Sequence, residues 1–150
     1  MALRKPLVIV AGQIEQLQSG DTLTGPFAEI ESVSVTNGEA SPITIGQVVY
    51  ISAADTVKKA RADATATQKA FALVQDASIA AAAIGQVQTS GVLGGMSGLV
   101  AGSEYFLDPT TAGAITTVAP TTVGQYVMKL GRALSTTEFD INISIHSVLL

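Results

Sequence analysis

The residues able to do chemistry are few, and their spacing assembles no familiar machine. The chain holds one histidine, His146, within the apolar C-terminal run ISIHSVLL. It has no second histidine and no cysteine to complete a zinc site. A serine–histidine–aspartate triad would have to use His146. No nucleophile elbow accompanies it, because Gly94, Gly95, Met96, Ser97 and Gly98 only superficially resemble one. A lone histidine at the end of a strand reads as structural or simply exposed. The glycines at 91, 94, 95 and 98 suggest a phosphate loop at first sight, but no Gly-Lys-Ser/Thr follows and no helical pattern begins there. They read as a turn-rich connection between strands. Asp108, Glu138 and Asp140 are the carboxylates that invite an acid/base reading. Asp108 precedes Pro109, which marks a turn, and Glu138 and Asp140 share one strand face at i, i+2. Solvated rim charges account for them. No dense ladder of oxygen ligands suggests calcium. No catalytic residue, cofactor or metal is assigned, and the chain is not read as an enzyme.

Composition narrows the class further. The chain has 150 residues and is 47% hydrophobic, enough for one folded domain with an arm. Aromatic residues make up 5%, tryptophan is absent, and the core must come from Val, Ile, Leu and Ala. Charged residues are 13%, against roughly 25% in ordinary soluble domains. So sparse a charge set points to self-association or incorporation in a larger assembly. The bland alternative is a soluble surface rich in Thr, Ser and Gln. The net charge of −4 argues against a nucleic-acid partner. No run approaches the ~20 apolar residues of a membrane span. Leu3, Arg4 and Lys5 precede an apolar run, but residues 7–11 are too short for a secretory core, so synthesis in the cytoplasm is expected.

The elements that must position any site are strands. The predicted fold is all-β: a small antiparallel β-barrel or sandwich with an extended N-terminal arm. The arm is residues 1–24 and the barrel domain residues 25–150. In the arm, Leu7, Val8, Ile9 and Val10 form one extended apolar strand, followed by Ile14 and Leu17 in a polar stretch. This segment either adds a strand to the main sheet or docks on a neighbouring subunit, pairing with an open sheet edge. The alternation at 30–36 reads as a half-buried strand, and Asn37–Gly38 as a tight turn. Residues 43–52 read as a strand pair interrupted at Gly46. Residues 53–76, rich in alanine, read as a strand, a polar loop at 63–67 and a second strand at 69–75. A helix is the competing reading. The alanine run at 79–84 reads as a short turn packed under the sheet, and 86–90 as a strand.

An apolar-Gly-Gln-apolar pattern recurs at Ile45, Ile84 and Val123, about 39 residues apart. Its flanks do not match, so it reads as glycine corners before strands rather than a repeat. Residues 125–134 and 139–145 should pair as a hairpin around Ser135, Thr136 and Thr137. Tyr126, Met128 and Leu130 then share one face, Val127 and Lys129 the other, with Gly131 as a bulge. The stretch 98–145 reads as the closing half of a barrel whose first half is 46–87. Tyr50, Tyr105 and Tyr126, all in predicted strands, are the tyrosines on which a sugar-binding reading would depend. Lys58, Lys59 and Arg61 are the only basic cluster, a solvated patch or a contact for an acidic surface.

The segments 46–51, 59–62, 72–74, 85–87, 98–102 and 105–109, with 113–117, 119–121, 130–134 and 137–141, resemble a small β-barrel module of tailed-bacteriophage virion proteins. Such modules occur in head decoration proteins, head fibres and tail-fibre or collar proteins. Residues 3–8, 12–13 and 17–21 are similar to the leader segments of fibre-type proteins. The resemblance implies a homotrimer on the virion, commonly held to the capsid or tail through an N-terminal portion, with no catalytic residues. The expected function is a capsid decoration protein on the outer surface of the head, with the major capsid protein and itself as partners. A tail-fibre, collar or baseplate adaptor is the alternative. Candidate contacts are Leu7, Val8, Ile9, Val10, Ile14 and Leu17 of the arm, together with Lys58, Lys59 and Arg61.

Overall fold

A computed structural model describes residues 7–10, 13–16, 31–144 and 147–150. Among them there is no helix. The strands are β1 (Leu7–Val10), β2 (Gln13–Gln16), β3 (Glu31–Asn37), β4 (Ile43–Thr44), β5 (Val48–Ala53), β6 (Thr56–Lys59), β7 (Ala72–Val74), β8 (Ser78–Ile79), β9 (Ile84–Leu93), β10 (Glu104–Leu107), β11 (Ile115–Thr116), β12 (Tyr126–Val127), β13 (Lys129–Ala133), β14 (Phe139–Ile141) and β15 (Val148–Leu149). The expected all-β barrel class is what the chain adopts.

Five strands close a ring in the order β9-β3-β6-β5-β7, with β7 returning to β9. Four contacts are antiparallel, and β3–β6 is parallel through Thr36↔Thr56 and Asn37↔Val57. The barrel therefore closes within residues 31–90. The stretch 98–145 is not its closing half, as the sequence suggested. It forms instead an antiparallel sheet, β11-β10-β13-β14, hung on the second part of β9. β9 is long enough to serve both. Residues 84–90 pair with β3, and Gly91, Val92 and Leu93 pair with β14.

Two cores follow. One fills the barrel with Val35, Ile43, Val49, Val57, Ala72, Val74, Ile79 and Val87. The other lies between the barrel wall and the second sheet, with Val48, Leu73, Leu93, Tyr105, Leu107, Leu130 and Phe139 among its members. The wall strands serve both. In β5, Val48 faces the outer core and its neighbour Val49 the barrel. In β7, Leu73 faces outward between Ala72 and Val74. Successive side chains point to opposite faces, so a strand covered on both faces must be apolar at every position. That is why residues 72–74 lack the polar alternation of a surface strand.

The segment between β6 and β7 settles as a loop, as expected. The amide of Gln68 donates to the Ala64 carbonyl and that of Arg61 to Thr67, closing residues 61–68 as a turn. The hairpin expected of residues 125–134 and 139–145 forms over β13 and β14, with Ala133 opposite Phe139, whereas Tyr126 and Val127 pair with β15 instead. Met128 and Leu130 are buried, with Tyr126 packed beside them.

Other expectations change. Asn37–Gly38 does not join two paired strands. Asn37 is buried, and its amide nitrogen donates to the carbonyls of Ser41 and Ile79 while its oxygen accepts the Glu39 amide. It works as a bracket between β3 and the loop after β8, using the local bonding that favours Asn in turns. Residues 43–52 are not a strand pair either: β4 pairs with β8, and β5 with β6 and β7. The alanine run does turn, with the Ala83 amide donating to Ala80, but Ala80, Ala81 and Ala82 are exposed rather than tucked beneath a sheet.

The apolar-Gly-Gln pattern has two structural meanings. At Gly46 and Gly124, glycine is the third residue of a turn in which the following glutamine amide bonds a threonine carbonyl, at φ +77° and +92°. Those turns need a residue tolerant of positive φ. At the middle copy the positive φ falls on Ala82 (φ 59°) instead. Gly85 is required for space, because a Cβ there would overlap the Ile79 side chain.

Candidate interaction surfaces

The basic cluster is divided by the fold. Lys58 is exposed on β6, and Lys59 beside it is half-buried, its main-chain amide donating to Glu39 Oε1 at 2.9 Å. Arg61 lies beyond the strand and forms an ion pair with Asp63. Burial raises the Asp63 carboxyl, but hydrogen bonds from Arg61 and Thr67 and the arginine charge outweigh it and hold it below the usual range. Arg61 is therefore already engaged. Lys58 is the exposed member of the cluster.

In the arm, β1 and β2 pair antiparallel from Leu7↔Gln16 to Val10↔Gln13 and form a sheet of their own. The expected apolar strand forms as β1, residues 13–16 of the polar stretch pair with it, and among the described residues the two are not joined to the main sheet. Leu7, Val8, Ile9 and Val10 lie on β1 and Ile14 on β2. Leu17 and the boundary at residue 24 fall outside the described residues, as does His146.

Of the three carboxylates, that of Asp108 serves local structure. Asp108 Oδ1 accepts the amides of Thr110 and Thr111 at 2.6 and 2.8 Å and caps the turn after β10. Asp140 pairs across to Arg132, and Glu138 receives the Leu134 amide on its carbonyl. Asp108 and Asp140 line separate clefts. Among the described residues no group of three or more acidic or histidine side chains is placed to hold a metal. The tyrosines turn inward. The Tyr105 hydroxyl accepts the Val100 amide at 2.9 Å, the Tyr126 hydroxyl bonds Thr65 at 2.6 Å, and Tyr50 packs on the outer core.

Three features escaped the sequence. The first is a cleft of about 630 Å³ where the barrel parts from the second sheet, lined by Gln68, Lys69, Phe71, Met128 and Asn142 among others. Gln68 is 7% exposed and its Oε1 has no partner. The second is a set of exposed apolar side chains around β12 and β15. β12 pairs with β15, and around them Val123 (86% exposed), Val148 and Leu149 (59% each) all stand in water. A turn residue and a terminal strand, each apolar in isolation, come together only through that pairing.

The third is the ion cluster of Glu104, Lys129 and Arg132, brought together by β10 and β13. A hydrogen bond from Lys129 and its charge hold the Glu104 carboxyl below the usual range, with Arg132 adding to the effect and burial opposing it. A depressed carboxylate contributes stability above its ordinary value and loses it as pH falls through the folded one. The group is exposed, so that contribution is small. Lys129→Gln is expected to raise the Glu104 titration midpoint, read by NMR of the side-chain carboxyl. An unchanged midpoint would show that the pair does not form in solution.

No protein-family model matches this chain, and no curated protein matches it either.

Proposed function

We propose that this protein is a non-enzymatic decoration, or cement, protein of a tailed-phage head. It binds the major capsid protein on the outer surface of the expanded shell and stabilises it. The observation that carries this reading is the exposure of the apolar side chains of Val123, Val148 and Leu149 on a chain with 13% charged residues. Surfaces of that kind are covered in assemblies. The separate β1–β2 hairpin, apolar at every position of β1, and the resemblance of residues 46–141 to phage virion modules support it. Binding only the expanded lattice stabilises that lattice by mass action. Assembly as a homotrimer multiplies weak contacts through effective concentration.

The test is co-sedimentation with expanded and unexpanded shells, followed by shell melting. Saturable binding to expanded shells alone is expected, with a raised melting temperature and loss of binding when residues 1–20 are removed. Equal binding to both shells, or none, overturns the reading. Labelled protein found on the tail of purified virions would assign it to a fibre, collar or baseplate instead.

A further inference from the structure

Among the described residues, the barrel leaves one edge open. Thr36 and Gly38 donate their main-chain amides to Asp55 and Val57 on the β6 side, at 2.7 and 2.9 Å. Asn37, between them, donates to Ala83 on the β9 side. Peptide groups alternate between the two edges of a strand. The amides of Ser34 and Ser32 therefore point to the β6 side. There, β6 begins only at Thr56, opposite Thr36. Residues 31–34 are thus bonded to β9 along one edge and, among the described residues, have no strand on the other. All four are exposed, Val33 by 40%. The stretch reads ESVS, without a lysine or proline to blunt the edge, and its register irregularity lies between Glu31 and Ser32 in the pairing with β9, ahead of Val33 and Ser34.

The same chain carries a strand in the complementary situation. β1 reads LVIV, apolar on both faces, yet among the described residues it is bonded only to β2. A strand with two apolar faces belongs in the interior of a sheet, with a neighbour on each side. β1 and the open edge of β3 are each four residues long. Within one chain the hairpin stands apart from the main sheet.

We propose that β1 of one copy pairs with the open edge of β3 in a second copy, extending the barrel in the order β2-β1-β3-β9 across the junction. The proposal rests on reading the N-terminal segment as an assembly arm and names the surface that receives it. The pairing is strand addition: main-chain bonds to Ser32 and Ser34 supply affinity, and coverage of Val33 supplies apolar contact. The contact is head-to-tail, so copies close into a ring when the rotation permits.

Sedimentation of the full chain, without capsids, tests it. The wild type is expected to exceed the single-chain mass of 15.3 kDa. Ser34→Pro removes an amide that points away from β9, so the barrel keeps its ladder while the edge loses its donor. Val8→Pro blocks the same junction from the arm, outside the barrel. Each variant alone is expected to sediment as a single chain with unchanged barrel circular dichroism. Mixed, they should form a 1:1 dimer, because one intact arm then meets one intact edge. A wild type that is a single chain, a variant that associates like the wild type, or a mixture that stays monomeric overturns the proposal. Self-association through this edge without capsid binding would overturn the decoration reading alone. Capsid binding by a wild-type chain that never self-associates would overturn this inference alone.

Discussion

Gly131→Ala is expected to destabilise the protein by about 3 kcal/mol or more, among the larger effects a single methyl group can have. Gly131 lies in β13 at φ +151°, opposite both Tyr105 and Ile141. Between β10 and β13 the register slips there: Tyr105 faces Gly131 and the next residue, Phe106, faces Lys129, leaving Leu130 as the extra residue of a bulge. The bulge bends β13 so that Leu130 enters the outer core. A Cβ at 131 would overlap the Asp140 carbonyl oxygen and sit 3.0 Å from Phe139 Cε1 and 3.1 Å from the Asn142 amide. Two of those three neighbours are backbone, which cannot rotate out of the way. Urea denaturation would report the loss as a lower midpoint at constant slope. A midpoint shift worth under about 1 kcal/mol would mean that the bulge relaxes, and that the register drawn here is not rigid.

Phe139→Ala is expected to cost about 3–5 kcal/mol, the usual range for emptying a buried phenylalanine site. Phe139 is fully buried at the start of β14, and its ring meets Tyr105 edge-on, 5.7 Å between centroids at 79°. That pairing is a favoured aromatic geometry. Few aromatic rings serve the whole chain, which is 5% aromatic, so the neighbouring Leu and Val side chains cannot refill the space. The same variant should weaken the near-ultraviolet dichroism of Tyr105, whose ring loses its packing partner. Phe106, one step along β10 and only half-buried, should cost clearly less on substitution. Equal losses at 106 and 139 would contradict the assigned faces of the second sheet.

These two sites also show what could be read beforehand. Gly131 was legible as a bulge because a glycine interrupts an otherwise alternating strand. A hairpin between 125–134 and 139–145 was legible because a short polar loop joins them, although only 129–133 and 139–141 keep that pairing and Tyr126 and Val127 turn to β15. The partnership of Phe139 with Tyr105 was not legible, since nothing in either strand names a neighbour that distant along the chain. Asn37 reads as part of a tight turn because its preference for turns is local. Its actual work, bridging to Ile79, depends on β3 and β8 arriving side by side. The candidate contacts divide in the same way. The apolar character of residues 7–10 is written in their composition. The engagement of Arg61 by Asp63 and the open edge at Ser32 and Ser34 appear only once the chain is folded.

The amino-acid sequence by itself determined an all-β chain, the position of most strands and turns, and a core without tryptophan or disulfides. Side-chain alternation, glycine and proline act over a few residues, and each leaves its mark where it acts. Only the tertiary structure decided that the barrel closes early, within residues 31–90, through one parallel contact between β3 and β6, and that the remaining strands build a second layer on β9. Strand partners are selected by burial summed over residues far apart in the chain, and a period of two is the same whichever partner is chosen.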